Sequence, residues 1–415
     1  MLFKQWRSCV IFACIIGLPA CVLNAGKRPT NKSLSYRDTY KTEDIENVLR
    51  HYNFRCVYED GKYFRCFNCT HHIAFILESK EMIFDGTKLF LTRPVVKNPR
   101  QNRFFVAAVD VEKILKPLLE PEKIKKYLPN GGCIVIDAGH GGTAEGAKNS
   151  RLKLVEKRLT LNTARALQSA LSKAGYKVFL TRDSDVDLSL EQRGQLANKL
   201  KAQLFVSLHY NAAESMQARG IETFTYTFAS HPSTDRTKAL ASDESTEVNN
   251  RFDIQNTYLA YCIQKSVTLR LGSIDRGVRR ARFGVLRHVH CPAILIECGF
   301  LSNDDEASKI ATKTYQEKLV NSIIKGIQRY VHNTIMRTVV VPPTQILKDF
   351  QSKKSSLPKR PLLKSQGTSN KQTFRNPSAE VKPFCGASYR FARKIYLANF
   401  LFYEKTRLKS MGLIG

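Results

Sequence analysis

Strand-like and helical segments alternate between Gly132 and His332, and this alternation constrains the fold of the 415-residue chain more than any other feature. Short apolar runs such as CIVID, YKVFLT and LFVSLH are separated by stretches in which apolar residues recur at helical spacing. Strands that alternate with helices in this way usually form a parallel sheet. We therefore predict an α/β fold for residues 131–332, with a mostly parallel sheet flanked by helices.

The same patterns predict the remaining elements of this region. Further strands are expected at IETFTYT, FGVLR and AILIE. Helices are expected around Arg158–Ala174, around Leu190–Lys201, near Leu259–Leu271, and in a long segment that ends near Val331.

Residues 40–119 have a different pattern. Apolar runs such as IAFILE, LFLTRPVV and RFFVAAV are interrupted by the turn-forming segments EDGK, FDGT and KNPRQN. We predict a small β-rich domain that precedes the α/β region. The segment EPEKIKKYLPNGG, which has two prolines and two terminal glycines, is expected to link the two.

The first 25 residues predict export from the cytoplasm. Lys4 and Arg7 precede the apolar run CVIFACIIGLPAC, which is short for a transmembrane helix but typical of a signal peptide. LPAC, ending at Cys21, is similar to a bacterial lipoprotein cleavage box, and LNA, ending at Ala25, offers an ordinary cleavage site. A periplasmic or cell-envelope location is expected, with lipid anchoring through Cys21 left open.

Basic residues dominate the chain, which has a formal net charge of +30. Residues 333–415 contain 16 basic and 3 acidic residues in a Pro-, Ser- and Lys-rich context, and we predict that they form a basic, disordered tail. Such charge favours polyanionic partners, for example an anionic cell-wall polymer or membrane surface. Export argues against nucleic acid as the partner.

Three cysteines lie close together in the N-terminal region. An exported protein can join two of Cys56, Cys66 and Cys69 in a disulfide bond. Alternatively, Cys66 and Cys69 with His71 and His72 suggest a metal knuckle, although a second ligand pair at the usual spacing is missing.

Polar residues follow or end three apolar runs in the α/β region. His140 lies just after CIVIDA, His209 ends LFVSLH, and Glu297 ends AILIE. Because ligands bind at the carboxyl ends of strands in open α/β sheets, we expect these side chains to meet in one crevice. Glu156 opens the next predicted helix and can face the same crevice. An isolated acid there would be explained by the helix dipole alone.

Two histidines and a glutamate with an open fourth position form the ligand set of hydrolytic zinc sites. We therefore predict a Zn²⁺ site formed by His140, Glu156 and His209. Zinc lowers the pKa of bound water, and Glu297 then suits the general base. Iron or copper is the alternative metal.

The α/β region resembles the zinc-dependent N-acetylmuramoyl-L-alanine amidases of bacterial cell walls. The resemblance rests on motifs that occur in the family's order: IVIDAGHGG, EKRLTLNTARAL, VFLTRDSDVDLSLEQRGQLAN, LFVSLHYNA, GIETF and FGVLRHVHCPAILIECGFLSN. It implies that His140, Glu156 and His209 bind zinc and that Glu297 is the catalytic acid. The β-rich region resembles, more weakly, a small domain first named from copper amine oxidases, and nothing in it implies copper.

This resemblance implies an exported amidase that cleaves peptidoglycan between N-acetylmuramic acid and L-alanine during cell-wall remodelling or cell separation. The alternatives are another zinc peptidase or deacetylase that acts on peptidoglycan, and a basic wall-binding module. Some relatives carry a long insertion whose helix covers the zinc, whereas the corresponding segment here is short and polar. Glu244 and Glu247 within it are candidate lid residues, and control by an activator protein is left open.

Several further residues are candidates for supporting roles. Asp137 is expected either to orient a ligand imidazole or to be a simple strand-end acid. Arg193 and Asn211 are candidate substrate contacts. His288 and His290 form a competing ligand pair, but they precede the strand that ends in Glu297 and are expected at the opposite edge of the sheet.

Overall fold

A computed structural model describes residues 41–125, 128–129, 131–236 and 243–332. The predicted signal peptide and basic tail lie outside the described residues. The strands are β1 (Thr42–Asp44), β2 (Arg55–Glu59), β3 (Tyr63–Phe67), β4 (His72–Ile76), β5 (Glu81–Phe84), β6 (Thr87–Phe90), β7 (Val96–Asn98), β8 (Arg103–Ala107), β9 (Cys133–Ala138), β10 (Lys148–Asn149), β11 (Leu154–Val155), β12 (Lys177–Leu180), β13 (Leu204–Asn211), β14 (Ile221–Tyr226), β15 (Asp275–Ala281) and β16 (Ala293–Phe300).

The helices are α1 (Ile45–Arg50), α2 (Ala108–Asp110), α3 (Lys116–Leu119), α4 (Glu156–Lys173), α5 (Leu190–Lys199), α6 (Asp253–Leu271), α7 (Gly284–Arg287), α8 (Asp304–Ile310) and α9 (Lys313–His332). A π-helical turn (Val111–Leu115) joins α2 to α3. No helix among the described residues is both long and apolar enough to span a membrane.

The N-terminal region contains an antiparallel meander from β2 to β6. The DG sequence between β5 and β6 forms a tight hairpin turn in which Asp85 and Gly86 both have positive φ, as the favoured two-residue hairpin turns require. Alternate residues such as Phe64, Phe75 and Met82 are buried on one face of the meander. The predicted β-rich region is therefore present.

Strands β12, β9, β13 and β16 are neighbours in that order and pair in parallel. Strand β14 runs antiparallel to β16 and parallel to β15. The sheet continues into the N-terminal meander because β15 pairs with β6 through Val278 and Leu89, which gives eleven strands in all. The predicted α/β sheet flanked by helices is confirmed, and the sheet as a whole is mixed.

Helices pack on both faces of the part of the sheet that is formed by β9 and β12 to β16. On one face, α4, α6 and α9 contact the buried strand residues of the main core. On the other face, α5 and α7 cover a smaller apolar cluster that includes Phe205 and Leu295. Helices α5 and α7 do not extend over the ends of β13 and β16 that carry His209 and Glu297. On this face, both side chains are therefore only partly buried.

Two details of the sequence prediction are wrong. FGVLR is not a strand, because Gly284–Arg287 form the short helix α7. The strand β15 was missed, because three arginines and an aspartate in DRGVRRA hide its alternation. The N-terminal and α/β regions share one sheet, and the domain boundaries proposed from composition stay predictions.

A disulfide bond joins Cys56 to Cys66, which lie opposite each other on β2 and β3. Cys66 is therefore not a free thiolate, and the metal knuckle that included it is wrong. Cys69 is exposed and free.

Candidate metal centre and catalytic site

The four site residues predicted from the sequence lie on or next to four elements that meet at the carboxyl ends of the parallel strands. His140 follows β9, Glu156 is the first residue of α4, and His209 and Glu297 lie near the ends of β13 and β16. His209 and Glu297 are direct partners in the parallel register of these strands. The side chains of directly paired residues project from the same face of a sheet. Glu297 therefore faces the same crevice as His209.

The Glu156 carboxylate lies between the two imidazoles. Its Oε1 is 3.0 Å from Nδ1 of His209, and its Oε2 is 3.1 Å from Nε2 of His140. The backbone N–H groups of Tyr210 and Ala147 donate to the same two oxygens, at 2.9 and 2.7 Å. One potential ligand atom from each of His140, Glu156 and His209 lies within 4.8 Å of the others.

Glycines make room for this cluster. A Cβ atom on Gly139 would lie 2.4 Å from Cε1 of His209, and one on Gly146 would lie 2.4 Å from Oε2 of Glu156. Gly146 also has a φ of +74°, a conformation that L side chains rarely adopt. Any larger residue at either position would displace a candidate ligand.

The donor set fits a zinc ion. Two imidazole nitrogens and one carboxylate oxygen, which lie within 4.8 Å of one another, match the three protein ligands of catalytic zinc sites. Additional contacts to the carboxylate from backbone N–H groups are typical of ligating carboxylates, because they fix the ligand's orientation.

Charge coupling within the cluster favours an ionised Glu156. Burial raises the pKa of Glu156, but hydrogen bonds from His140 and His209 outweigh burial and lower it to about 2. Burial lowers the pKa of His209, but the hydrogen bond and charge of Glu156 outweigh burial and raise it.

Glu297 is in a different environment. Its Oε2 atom is buried and has no hydrogen-bond partner among the described residues. Burial, opposed by His209 and reinforced by the negative charges of Glu156 and Glu222, raises the pKa of Glu297 to about 8. A carboxyl group with a raised pKa can exchange a proton near neutral pH, as general acid–base catalysis requires.

Two buried arginines hold the backbone that carries His140. Arg182 donates from Nε to the Ala138 carbonyl oxygen at 2.9 Å and from Nη2 to that of Gly139 at 2.8 Å. Arg193 donates to the carbonyl oxygens of Ala138 and His140 at 2.7 and 2.9 Å. These bonds fix the turn in which His140 has a positive φ of 60°.

Arg193 is positioned by the start of α5 and by Asp137. Ser189 and Gln192 form a capping box that begins the helix, and Arg193 follows in its first turn. The guanidinium forms an ion pair with the fully buried Asp137, at 2.9 Å. Asp137 also accepts hydrogen bonds from Thr181 and Ser207, so its role is to hold Arg193 and the strands and not to contact an imidazole.

The other predicted supporting residues lie elsewhere. Arg193 is only 4% exposed and therefore unsuited to contact substrate, whereas Asn211 is half-buried and donates to Glu222. Glu247 forms an ion pair with Arg287 and Glu244 is exposed, and neither belongs to the metal-ligand cluster. His288 and His290 are exposed before β16 and also lie outside the cluster.

The sequence interpretation missed Glu222, Arg276 and Arg279. Glu222 is buried and is the direct partner of Glu297 in the β14–β16 pairing. It forms ion pairs with both arginines. In the sequence, Glu222 is recognisable only as an acid next to the first residue of a predicted strand. Such an acid does not indicate a functional site unless the strand order is known.

The fold and the cluster define an α/β protein with a candidate hydrolytic metal centre at the edge of its sheet. Residues 134–329 match the protein family described as N-acetylmuramoyl-L-alanine amidase. Over this segment the chain matches that family, which confirms the resemblance of the α/β region to the N-acetylmuramoyl-L-alanine amidases, and zinc dependence stays a proposal.

Two proteins that are similar to this chain are named as amidases. The N-acetylmuramoyl-L-alanine amidase AmiC of Escherichia coli O6:H1 is 32% identical over 243 residues, which cover 53% of this chain and 58% of AmiC. The probable cell wall amidase LytH of Staphylococcus aureus is 34% identical over 201 residues, which cover 48% of this chain and 58% of LytH. The chain thus spans just over half of the length of these relatives.

Solved structures of similar proteins include an N-acetylmuramoyl-L-alanine amidase from Clostridium difficile 630. It is 33% identical with a TM-score of 0.41, and the match covers 49% of this chain and 98% of that one.

Proposed function

We propose that the protein is an exported zinc hydrolase that cleaves the amide bond between N-acetylmuramic acid and L-alanine in peptidoglycan. The observation that carries the proposal is the convergence of His140, Glu156 and His209 beside a half-buried Glu297, within a domain of the amidase family. The expected role is cell-wall remodelling or cell separation.

Zinc is the proposed cofactor, held by His140, Glu156 and His209. When bound, zinc supplies a Lewis acid that polarises the amide carbonyl and makes water a stronger acid. The backbone N–H groups of Tyr210 and Ala147 fix the orientation of the Glu156 carboxylate. Arg182 and Arg193 keep His140 in place through the backbone.

Glu297 is the proposed proton carrier. Its unpaired Oε2 accepts the proton of the attacking water and then gives it to the leaving amine of L-alanine. The raised pKa of Glu297 suits both transfers, because the group must gain and lose a proton in one cycle.

Two alternatives come from different classes. Another zinc peptidase or deacetylase acting on peptidoglycan would use the same four residues and differ in the bond that is cut. A basic wall-binding module would have no need of a buried carboxyl group next to a metal-ligand set, and so the site favours an enzyme.

Metal removal tests the proposal. The purified chain should release stem peptides from purified peptidoglycan, lose this activity after dialysis against a chelator, and regain it when Zn²⁺ is added. Full activity in a preparation shown by elemental analysis to be free of metal would contradict the zinc proposal. Binding to peptidoglycan without any release would favour the binding module.

The proposed location is the periplasm or cell envelope, based on the signal-like residues 1–25, with lipidation of Cys21 as one route to retention. The C-terminal tail, residues 333–415, is proposed to bind an anionic wall or membrane surface. Both segments lie outside the described residues.

A further inference from the structure

Two arginines share one carboxylate beside Glu297. Nε of Arg276 lies 3.1 Å from one oxygen of Glu222, and Nε of Arg279 lies 2.8 Å from the other. Because one carboxylate balances one guanidinium, this group of three charged residues has a net charge of +1. We call it the Glu222 cluster.

Both guanidinium groups retain donors that the protein does not use. Within the described residues, every side-chain hydrogen bond and ion pair of Arg276 and Arg279 involves Nε, and none involves a terminal nitrogen. The two side chains are 31% and 23% exposed, whereas that of Glu222 is only 5% exposed. The two arginine side chains are therefore partly accessible to solvent, whereas the carboxylate that they share is not.

Aromatic rings hold the arginines in place. The guanidinium carbon of Arg276 lies 4.7 Å from the centre of the Phe300 ring, and that of Arg279 lies 4.4 Å from the centre of the Phe90 ring. Phe90 belongs to β6, so the N-terminal region forms one wall of this cluster. A planar guanidinium that is already stacked and paired loses little freedom when it binds an anion.

The distance from Glu297 suits a particular substrate group. Strands in a sheet are about 4.8 Å apart, so β15, two strands from β16, lies roughly 10 Å from Glu297. Two extended residues span about 7 Å. A stem peptide that runs from Glu297 across β14 would bring the residue after the alanine close to β15, where both arginines contact Glu222.

We propose that Arg276 and Arg279 form a specificity subsite for the stem-peptide carboxylate on the residue that follows L-alanine. The inference rests on the proposed amidase function and assigns the peptide side of that site. A carboxylate accepts two parallel N–H bonds from an arginine fork, which a carboxamide cannot do with both of its atoms. The subsite therefore distinguishes a free carboxylate from its amide.

A matched pair of soluble muropeptides tests the subsite. The two substrates have the same sequence and differ only in whether the residue after alanine carries a free carboxylate or a carboxamide. The full-length zinc-loaded protein should cleave the free acid with a kcat/KM at least about tenfold higher, mainly through KM, since a lost charge-assisted hydrogen bond has this size of effect.

Arg279→Gln should remove most of this preference. Glu222 keeps Arg276 as its partner in this variant, so the buried carboxylate remains paired. Arg279→Lys, which keeps the charge and loses the fork, should reduce the preference less than Arg279→Gln does. Lys177→Gln is the matched control, because it removes one exposed positive charge at the beginning of β12 and should leave the preference unchanged.

The outcomes separate the two proposals. Equal kcat/KM values for the two substrates in the wild-type protein, or an unchanged preference in both Arg279 variants, would overturn the subsite. Failure of the wild-type protein to cut either substrate at the N-acetylmuramoyl amide would instead overturn the proposed function.

Discussion

Nη2 of Arg193 donates a hydrogen bond to the backbone carbonyl oxygen of His140 across 2.9 Å, and its Nη1 lies 2.9 Å from the buried carboxylate of Asp137. His140 has a left-handed backbone conformation, which costs a residue other than glycine about 1 kcal/mol or more. The ion pair in the core therefore stabilises the turn that presents a candidate zinc ligand.

Arg193→Ala should destabilise the protein by about 3–5 kcal/mol, because it leaves the carboxylate of Asp137 buried without its charged partner. Denaturant unfolding of the full-length protein measures this change. Adding Asp137→Asn should restore part of the loss, since it removes the uncompensated charge. Arg158→Ala on the exposed face of α4 is the control and should change stability by less than about 0.5 kcal/mol. An Arg193→Ala protein as stable as this control would contradict the assignment.

Glu297→Ala should retain zinc and lose activity by about 10²- to 10⁴-fold, the usual contribution of a general acid–base group. Elemental analysis and muropeptide release, measured on the same sample, check both parts. His209→Ala is the comparison and should lose the metal together with the activity. A Glu297→Ala protein that loses zinc but keeps its rate per bound metal would show that the two roles are assigned wrongly.

The rate should depend on pH through Glu297. A base must be deprotonated to accept a proton, so a raised pKa means that activity falls as the pH falls through that raised value. With a cation bound nearby, the pKa of Glu297 should lie between its ordinary value of 4.5 and the raised value of about 8. The reason is that the positive charge of the cation lowers this pKa again.

We therefore expect the acid limb of kcat/KM to lie between these limits. Metal content must be measured at each pH, since protonation of histidine ligands releases zinc. An acid limb at or below pH 4.5 in protein that has kept its metal would rule out this environment for Glu297.

The sequence predicted His140, His209 and Glu297 together because each follows or ends an apolar run, and such runs place their ends at one edge of a parallel sheet. Glu156 was found because it begins the helix after the first run. Local patterns thus predict that these side chains lie at the same end of the strands, and the neighbouring positions of β9, β13 and β16 bring them together.

Strand order is what local patterns could not supply. The antiparallel placement of β14 beside β16 brings Glu222 opposite Glu297, and the pairing of β15 with β6 brings Phe90 to Arg279. Both pairings join segments that are far apart in the sequence, and charged residues obscure β15 itself. The sequence therefore did not predict that Glu222, Arg276 and Arg279 meet beside Glu297.

Removal of the tail should affect attachment and leave chemistry intact. Residues 333–415 carry a net charge of +13, and salt screens such charges over ~10 Å at 0.1 M and ~3 Å at 1 M. A chain ending at His332 should cleave soluble muropeptides at the full rate but sediment less with peptidoglycan or anionic vesicles at low salt. In high salt the two chains should sediment equally. Equal sedimentation at low salt, or a large loss of rate on the soluble substrate, would assign the tail another role.

Mass spectrometry of peptidoglycan digested by the full-length zinc-loaded protein tests the central claim most directly, because it identifies the bond that is cut. We predict intact stem peptides with a free N-terminal L-alanine, together with glycan strands whose N-acetylmuramic acid carries a free lactyl carboxylate. Products cut within the stem peptide, or glycan that has lost only acetyl groups, would contradict the account and favour a zinc peptidase or deacetylase.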